Sequence, residues 1–219
     1  MDFKIQTFLT ELALIKDHDI RAFTELLIKS LHDRFFIEGA SSTSKYHPDI
    51  SNGEGGLVRH TKFAIQIAKS IIDTNMFGVV NESIVYSALI LHDGWKYSDN
   101  LDNKYTVKDH AVLSVGYIKD IIKKSNFFDI YRNIPAWYGE ILNCIQGHNG
   151  FFMSDKSKNE FEYNGVWSVE QKIVHIADYI SSRRYMVAET KELTAVELKK
   201  ILSKTVFTNQ DITQMELDI

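Results

Sequence analysis

Apolar residues along this chain recur mainly with the period of an α-helix. Two runs near the N-terminus show this spacing: Phe3, Phe8, Leu12 and Ile15, followed by Ile20, Phe23, Leu26, Leu27, Leu31 and Phe35. Such spacing is typical of amphipathic helices and predicts an N-terminal pair of helices within residues 1–38. Only two prolines, Pro48 and Pro135, interrupt the chain, which leaves long stretches free to be helical.

The middle of the chain alternates between turn-forming stretches and further helical patterns. Residues 39–56 are rich in Gly, Ser, Asn and Asp, which predicts a loop. A helix is then predicted from Leu57 to about Met76. The next helix is predicted to start at the N-cap residue Asn81 and to end at His92.

The second half of the chain carries further helix signals. Thr106 and Asp109 predict a cap for a helix from Val107 to Lys124, and Asn133 and Pro135 predict the start of a helix to about Gly147. Ser168 with Gln171 forms a capping box for the helix that holds Asp178, and Thr194 with Glu197 forms another for a final helix. Residues 151–167 are polar and aromatic, which predicts a loop that forms a small hairpin or a lid. Together the signals predict one all-α domain of about eight helices.

Composition is that of an ordinary soluble protein. Of the 219 residues, 44% are hydrophobic and 25% are charged, which suits one domain with a full core. No apolar run approaches the roughly 18 residues of a membrane span, and the N-terminus has no signal-peptide pattern. The single cysteine, Cys144, excludes an internal disulfide and suits a reducing compartment. We therefore expect a cytoplasmic protein.

Charge bears on the kind of partner. A formal net charge of −4 argues against a protein that holds nucleic acid mainly by neutralising phosphates. Long RNA or DNA is therefore less expected than a small substrate. The exposed face of the N-terminal helix pair has two interpretations, a homodimer surface or a cover for the core.

One apolar run ends abruptly in charged residues, in the order Leu89-Ile90-Leu91-His92-Asp93-Gly94-Trp95-Lys96. A buried carboxylate without a partner is costly, and a metal ion is one of the few groups that offset this cost. Further nitrogen and oxygen donors lie elsewhere in the chain: His60, His110, His148 and Asp178. The residues therefore predict one or two divalent ions, with Mn, Fe, Zn, Ni, Co and Mg left open.

In this order, His60, the pair His92-Asp93 and the distant Asp178 resemble the signature of the HD-domain metal-dependent phosphohydrolases. The segment Gly-Gly-Leu-Val-Arg-His is close to the glycine-glycine-leucine-x-x-histidine that is usual in this family. The segment His-Asp-Gly-Trp-Lys departs from the commoner His-Asp-Ile-Gly-Lys, but it keeps Lys96 in register.

The resemblance covers most of the chain, from Lys45 to Arg184. It implies that residues 1–219 form a single HD domain, built as an all-α bundle. Within that domain, residues 45–187 would be the metal-binding core. Residues 1–38 would be the N-terminal helix pair, and residues 188–219 a C-terminal helix and tail.

The resemblance also implies a site for two metal ions. One ion would be bound by four residues: His60, His92, Asp93 and Asp178. Asp93 would bridge to a second ion held by His110 and His148, which match the extra histidines of two-metal branches of the family. Asn149 stands where some of these relatives have a second histidine.

The implied reaction is attack of a metal-activated water on phosphorus, with Asp93 and Lys96 as catalytic residues. Further side chains are expected to contact the substrate: Lys96, Arg59, His47, and Arg183 or Arg184. Both arginine sites and His47 also fit ordinary surface residues. The expected substrate is a small phosphate ester, a nucleotide or a cyclic nucleotide, so both a phosphomonoesterase and a phosphodiesterase fit.

Three alternative functions stay open at this point. Tyr46-His47-Pro48-Asp49 resembles a segment of exonuclease-like relatives, which favours a 3'-5' exonuclease-like phosphodiesterase. A small branch of the family holds two irons in the same ligand order and acts as an oxygenase. A non-catalytic binding module is the third alternative, and the complete set of ligands weighs against it.

Two further features have two interpretations each. Five aromatic residues either stack on a nucleobase or belong to the core: Trp137, Tyr138, Phe151, Phe152 and Trp167. His175 shares a helical face with Asp178, so it either supports the metal site or packs in the core.

Overall fold

Helices supply the regular secondary structure in the described part of the chain. The computed structural model describes residues 2–42, 47–97, 105–150 and 167–184. Its helices are α1 (Phe3–Thr7), α2 (Leu9–Leu12), α3 (His18–Ser30), α4 (Arg34–Ile37), α5 (Gly56–Asp73), α6 (Glu82–Leu91), α7 (His110–Ser125), α8 (Ala136–Gly147) and α9 (Val169–Ser181), with a 3₁₀ turn at Asp49–Ser51. These ranges contain no β-strand, which confirms the all-α prediction. None of the helices in these ranges is both long and apolar enough to cross a membrane.

The chain divides into two compact units, Met1–Met186 and Val187–Ile219. All of the described residues belong to the first unit. Several sequence-based predictions fall outside the described residues: the final helix with Thr194 and Glu197, the hairpin or lid apart from Trp167, and the aromatic side chains of Phe151 and Phe152. The proposed division into residues 1–38, 45–187 and 188–219 stays a prediction.

Helix α6 is the most buried of the described helices. Its residues from Ser83 to Leu91 are all buried, and it packs against α3, α5, α8 and α9. A helix that is apolar on all sides requires neighbours on all sides. The two residues that follow its last turn, His92 and Asp93, are consequently placed in the protein interior.

Two predicted helix starts have the expected caps. Asn81 Oδ1 accepts the backbone N–H of Ile84 at 3.4 Å. Ser168 Oγ accepts the backbone N–H of Gln171 at 3.1 Å, and Gln171 Oε1 accepts the backbone N–H of Ser168 at 2.8 Å. This capping box fixes the start of α9, and therefore the position along it at which Asp178 meets the interior.

The N-terminal segment differs from the predicted pair of continuous helices. The first predicted helix is interrupted at Phe8 (φ −110°, ψ 17°), which separates α1 from α2. The second ends at Leu31, whose extended backbone (φ −62°, ψ 141°) separates α3 from the short α4. The apolar residues of the pattern are nevertheless buried, among them Phe8, Leu12, Ile15, Ile20 and Phe23. Helical spacing thus identified the buried face but not the breaks.

Helix α7 begins later than its predicted start at Val107. The backbone N–H of Val107 donates to the carbonyl of Lys96 at 2.9 Å, so this segment is tied to the chain that follows the His-Asp pair. Helix α7 therefore starts at His110, with Asp109 as an N-cap residue that makes no side-chain capping bond.

Candidate metal centre

All six predicted ligands converge in the interior of the first unit. They come from five helices: His60 from the second turn of α5, His92 and Asp93 from the end of α6, His110 from the start of α7, His148 from the end of α8, and Asp178 from α9. Their side chains are almost completely buried, and the largest exposed fraction is the 15% of Asp178. A cluster of this composition is expensive to bury without a bound cation.

Two glycines allow the elements that carry these ligands to approach closely. A Cβ atom at Gly56 would collide with the carbonyl of Ser51. A Cβ atom at Gly94 would lie 2.7 Å from Cδ2 of Leu31, at the end of α3. The glycine that directly follows the His-Asp pair is therefore explained by the packing of α3 against this turn.

The two carboxylate oxygens of Asp93 face different groups of histidines. Its Oδ2 lies 3.6 Å from His60 Nε2 and 3.5 Å from His92 Nε2. Its Oδ1 lies 3.0 Å from His110 Nε2 and 3.7 Å from His148 Nε2. Among the described residues, Asp93 is thus common to two groups of three potential metal ligands.

Asp178 makes the two groups unequal. Its Oδ1 lies 3.0 Å from His60 Nε2 and 3.4 Å from His92 Nε2, on the same side as Asp93 Oδ2. The first group therefore offers two imidazoles and two carboxylates. The second group offers two imidazoles and the other oxygen of Asp93.

Backbone carbonyls set the tautomers of three of the histidines. Each Nδ1 contacts the carbonyl oxygen three residues earlier: His92 to Leu89 at 2.7 Å, His110 to Val107 at 2.8 Å and His148 to Ile145 at 2.6 Å. A carbonyl oxygen only accepts, so each Nδ1 carries a proton and each neutral ring has its lone pair on Nε2. Leu89 and Ile145 lie in the last turns of α6 and α8, where a carbonyl has no helical N–H four residues later, although the carbonyl of Ile145 also accepts the backbone N–H of His148 at 3.5 Å. The helix ends therefore orient these ligands.

Several buried polar atoms of the cluster are poorly paired. Within the described residues, His92 Nε2 and Asp93 Oδ1 have no well-directed hydrogen bond. The Nε2 atoms of His110 and His148 lie 3.1 Å apart, so two lone pairs face each other when both rings are neutral. A divalent cation in each of the two groups would satisfy these atoms, and imidazole with carboxylate suits many divalent metals. The donor set therefore fits one or two such ions.

The protonation states of Asp93 and His148 suit metal binding, whereas the pKa of His92 is raised, because the lowering effect of burial is outweighed by the attraction of Asp93 and Asp178. Burial alone would raise the pKa of Asp93, but Lys96 with His92 and His110 holds it well below its usual range. Lys96 Nζ lies 2.6 Å from Asp93 Oδ2. Burial, together with the neighbouring His92, lowers the pKa of His148 to about 3. An ionised carboxylate and a neutral imidazole are the protonation states that a metal ion requires.

A cavity of about 190 Å³ opens beside the cluster. Its wall includes the potential ligands His148 and Asp178, the cations Lys96 and Arg183, and His47. An anionic group in this cavity would contact both the cations and the ligand cluster.

The predicted substrate contacts lie in two different places. His47 and Arg183 line the cavity, where the His47 ring lies 5.1 Å from the His60 ring and the Arg183 guanidinium lies 4.2 Å from the Tyr179 ring. Arg59 is exposed, and its guanidinium donates to three carbonyls of the preceding loop, those of Ile50, Asn52 and Glu54. Arg59 thus fastens that loop, and its contact with substrate stays a prediction.

Trp137, Tyr138 and His175, for which the sequence allowed two interpretations each, have different kinds of contacts. Trp137 and Tyr138 pack edge-on against Phe23, with ring centroids 5.4 and 5.8 Å away, which is core packing. His175 Nδ1 donates to the backbone carbonyl of His148 at 2.7 Å. His175 therefore supports the segment that carries a potential ligand.

Sequence reasoning missed one residue that contacts a potential ligand. The buried Ser181 Oγ lies 3.3 Å from His60 Nδ1 and donates to the backbone carbonyl of Asp178 at 2.8 Å. The only signal in the sequence was the spacing of three residues from Asp178, which places the serine one turn further along the same face of α9.

Comparison with known proteins gives one match. The family model of the HD domain matches residues 57–183, which is more than half of the 219-residue chain. No curated protein and no solved structure matches the chain significantly.

Proposed function

The chain belongs to the HD-domain family of metal-dependent hydrolases, and from this premise we propose that it hydrolyses a small phosphate ester such as a nucleotide or a cyclic nucleotide. One ion would be held by His60, His92, Asp93 and Asp178, and a second by Asp93, His110 and His148. Both a phosphomonoester and a phosphodiester suit the proposal. The acidic balance of the chain, with a net charge of −4, supports a small substrate over long nucleic acid.

The observation that carries this proposal is the division of Asp93 between two groups of histidines. Oδ2 lies within 3.6 Å of the Nε2 atoms of His60 and His92, and Oδ1 lies within 3.7 Å of those of His110 and His148. A carboxylate shared in this way is the arrangement expected of a bridging ligand. Two adjacent divalent ions supply an activated water and neutralise phosphate oxygens in phosphoryl hydrolysis.

The chain's own side chains contribute binding and orientation. Lys96 and Arg183 place two positive charges on the wall of the cavity beside the ligand cluster, where a phosphate group would accept charge-assisted hydrogen bonds. His47 is part of this wall, with its ring 5.1 Å from the ring of His60, and it is kept neutral because burial and the nearby Lys96 lower its pKa to about 3. A neutral imidazole at this place limits the total positive charge near the cluster.

The proposal is tested by metal analysis and by turnover without oxygen. Protein purified without chelator is analysed for metals and then offered a phosphomonoester, a phosphodiester, a nucleotide panel and an oligonucleotide under nitrogen. We expect about two metal ions per chain and release of phosphate or nucleotide from a small substrate. Two irons without hydrolysis would instead favour an oxygenase, preference for oligonucleotide ends would favour an exonuclease, and absence of metal would refute the proposal.

Replacing Lys96 by methionine is expected to lower kcat/KM roughly 10²- to 10³-fold, because a preorganised cation beside the reacting phosphate is lost. The metal content should not fall, because the ammonium at 2.6 Å from Asp93 Oδ2 repels a cation from that oxygen. Lys69→Met is the matched control, since Lys69 forms an equally short ion pair with Asp73 on the exposed part of α5. Loss of metal from the Lys96→Met protein would contradict this role.

Arg183 and Arg184 form a second matched pair. Arg183 lines the cavity, whereas Arg184 is exposed and does not. Arg183→Gln is expected to raise KM about 10-fold or more with a smaller change in kcat, because a charge-assisted hydrogen bond to the substrate is lost. In steady-state kinetics, the Arg184→Gln protein should have the same KM and kcat as the parent protein. Equal effects of both substitutions would exclude a specific contact between Arg183 and the substrate.

A further inference from the structure

We infer that Ser181 is a positioning residue for the metal centre, because its hydroxyl accepts the Nδ1 proton of His60 and so leaves His60 Nε2 free to bind a cation. Ser181 Oγ lies 3.3 Å from His60 Nδ1, and both side chains are fully buried. The inference rests on the proposed metal-dependent function, and it adds a residue that touches neither metal nor substrate.

His60 differs from the other three histidines in how its ring is held. His92, His110 and His148 donate Nδ1–H to backbone carbonyls at the ends or starts of helices. His60 lies inside α5, where carbonyl oxygens are engaged by the helix itself. The carbonyl of Leu57, for example, also accepts the hydroxyl of Thr61 at 3.0 Å. His60 Nδ1 contacts no carbonyl of α5 among the hydrogen bonds of the described residues, and it meets an oxygen of another element, Ser181 Oγ.

Helix α9 supplies this acceptor in a defined orientation. Ser181 donates its own proton to the carbonyl of Asp178 at 2.8 Å, which leaves a lone pair of Oγ for His60 Nδ1–H. Asp178 Oδ1 lies 3.0 Å from Nε2 on the opposite side of the same ring. One turn of α9 thus contacts both nitrogens of His60.

The serine matters because Asp178 also favours the wrong tautomer. In the absence of a cation, a proton on His60 Nε2 would be attracted to the carboxylate 3.0 Å away, and that proton blocks metal binding. Ser181 accepts a hydrogen bond from Nδ1–H of His60 and therefore favours the tautomer that has its proton on Nδ1. Groups that orient a ligating histidine in this way typically affect metal affinity 10- to 100-fold.

The test is a titration of chelator-treated protein with Co²⁺, followed by visible absorption. A His148→Ala background removes a ligand of the second group, so that binding to the group of His60 is measured alone. In this background Ser181→Ala is expected to raise the Co²⁺ dissociation constant about 10- to 100-fold. Ser181→Thr, which keeps the hydroxyl, should bind Co²⁺ within about 3-fold of the background protein.

Two controls separate the role of the hydroxyl from packing. Ser87→Ala removes another fully buried serine hydroxyl, which lies 2.7 Å from Thr24 Oγ1 and about one and a half turns of α6 before His92. It is expected to lower the Tm without changing the Co²⁺ affinity. Circular dichroism shows whether Ser181→Ala folds. If it does not, the role of the hydroxyl is tested by comparing Ser181→Thr with Ser181→Val. These two variants differ only in a hydroxyl group that replaces a methyl group.

The outcomes distinguish this inference from the proposed function. Weak binding by the alanine or valine variant with tight binding by the threonine variant supports the role of Ser181. Unchanged affinity in Ser181→Ala, or an equal loss in threonine and valine variants, overturns that role and leaves the proposed function standing. Failure of the parent protein itself to bind Co²⁺ overturns the proposed metal-dependent function.

Discussion

Asp93→Asn is expected to abolish turnover, with a fall in kcat of about 10³-fold or more. The amide has the shape of the carboxylate but carries no charge and offers only one oxygen. It cannot serve both the histidine pair that faces Oδ2, His60 and His92, and the pair that faces Oδ1, His110 and His148. Elemental analysis should show a loss of at least one metal ion per chain, and phosphate release should disappear.

The controls for Asp93 address folding and charge separately. Removing the carboxylate leaves the partly buried Lys96 without its partner at 2.6 Å, and breaking an ion pair of which one member is buried is destabilising. Asp93→Glu keeps the charge and the ion pair but displaces the carboxylate by one methylene group, so it should fold and still turn over poorly. Asp73→Asn removes an exposed carboxylate from α5 and should be as active as the parent. Full activity in Asp93→Asn would refute the shared-ligand proposal.

Removal of metal is expected to lower the thermal stability substantially. The ligands come from five helices, so a bound ion links most of the bundle. A ligand present at 1,000 times its Kd stabilises the folded state by about 4 kcal/mol. For a chain of this size that corresponds to a Tm shift of roughly 8–16 °C. Circular dichroism of chelator-treated and metal-reloaded protein measures the shift directly.

Two histidine variants make the stability experiment specific. In His92→Ala the difference between chelated and reloaded protein should largely vanish, because a fully buried ligand is missing. In His18→Ala the full difference should remain, since His18 lies at the start of α3 with a side chain that is 84% exposed. Equal Tm values for chelated and reloaded parent protein would show that no stabilising ion binds in the bundle.

Helical spacing predicted the all-α fold, whereas the set of six potential ligands was predicted from the order of His and Asp residues, which resembles the HD-domain signature. His92, His110 and His148 each stand at a helix end that is marked by an apolar run, a cap or a turn. Helix ends are readable from local pattern because capping chemistry is local. For Asp178 the capping box predicted only the helix that carries it, and its role as a ligand was predicted from the resemblance.

What the sequence did not reveal depends on the conformation of loops and on contacts between distant segments. The guanidinium of Arg59 is occupied by three carbonyls of the loop just before it, those of Ile50, Asn52 and Glu54, and the residue pattern does not indicate the direction of loop carbonyls. Ser181 contacts a residue 121 positions earlier in the chain. The residue pattern also gives no sign of the helix break at Phe8, because one continuous helix and two short helices would bury the same apolar residues.

The use of main-chain atoms to orient most of the histidines has an evolutionary consequence. The carbonyls of Leu89, Val107 and Ile145 remain in place whatever side chains those residues carry. Substitutions at these three positions are therefore limited by core packing and not by the need to orient the histidines. His60 is the exception, because its support is a side chain that a single nucleotide change can remove. A lineage that loses the hydroxyl at Ser181 would keep every ligand and still weaken the site.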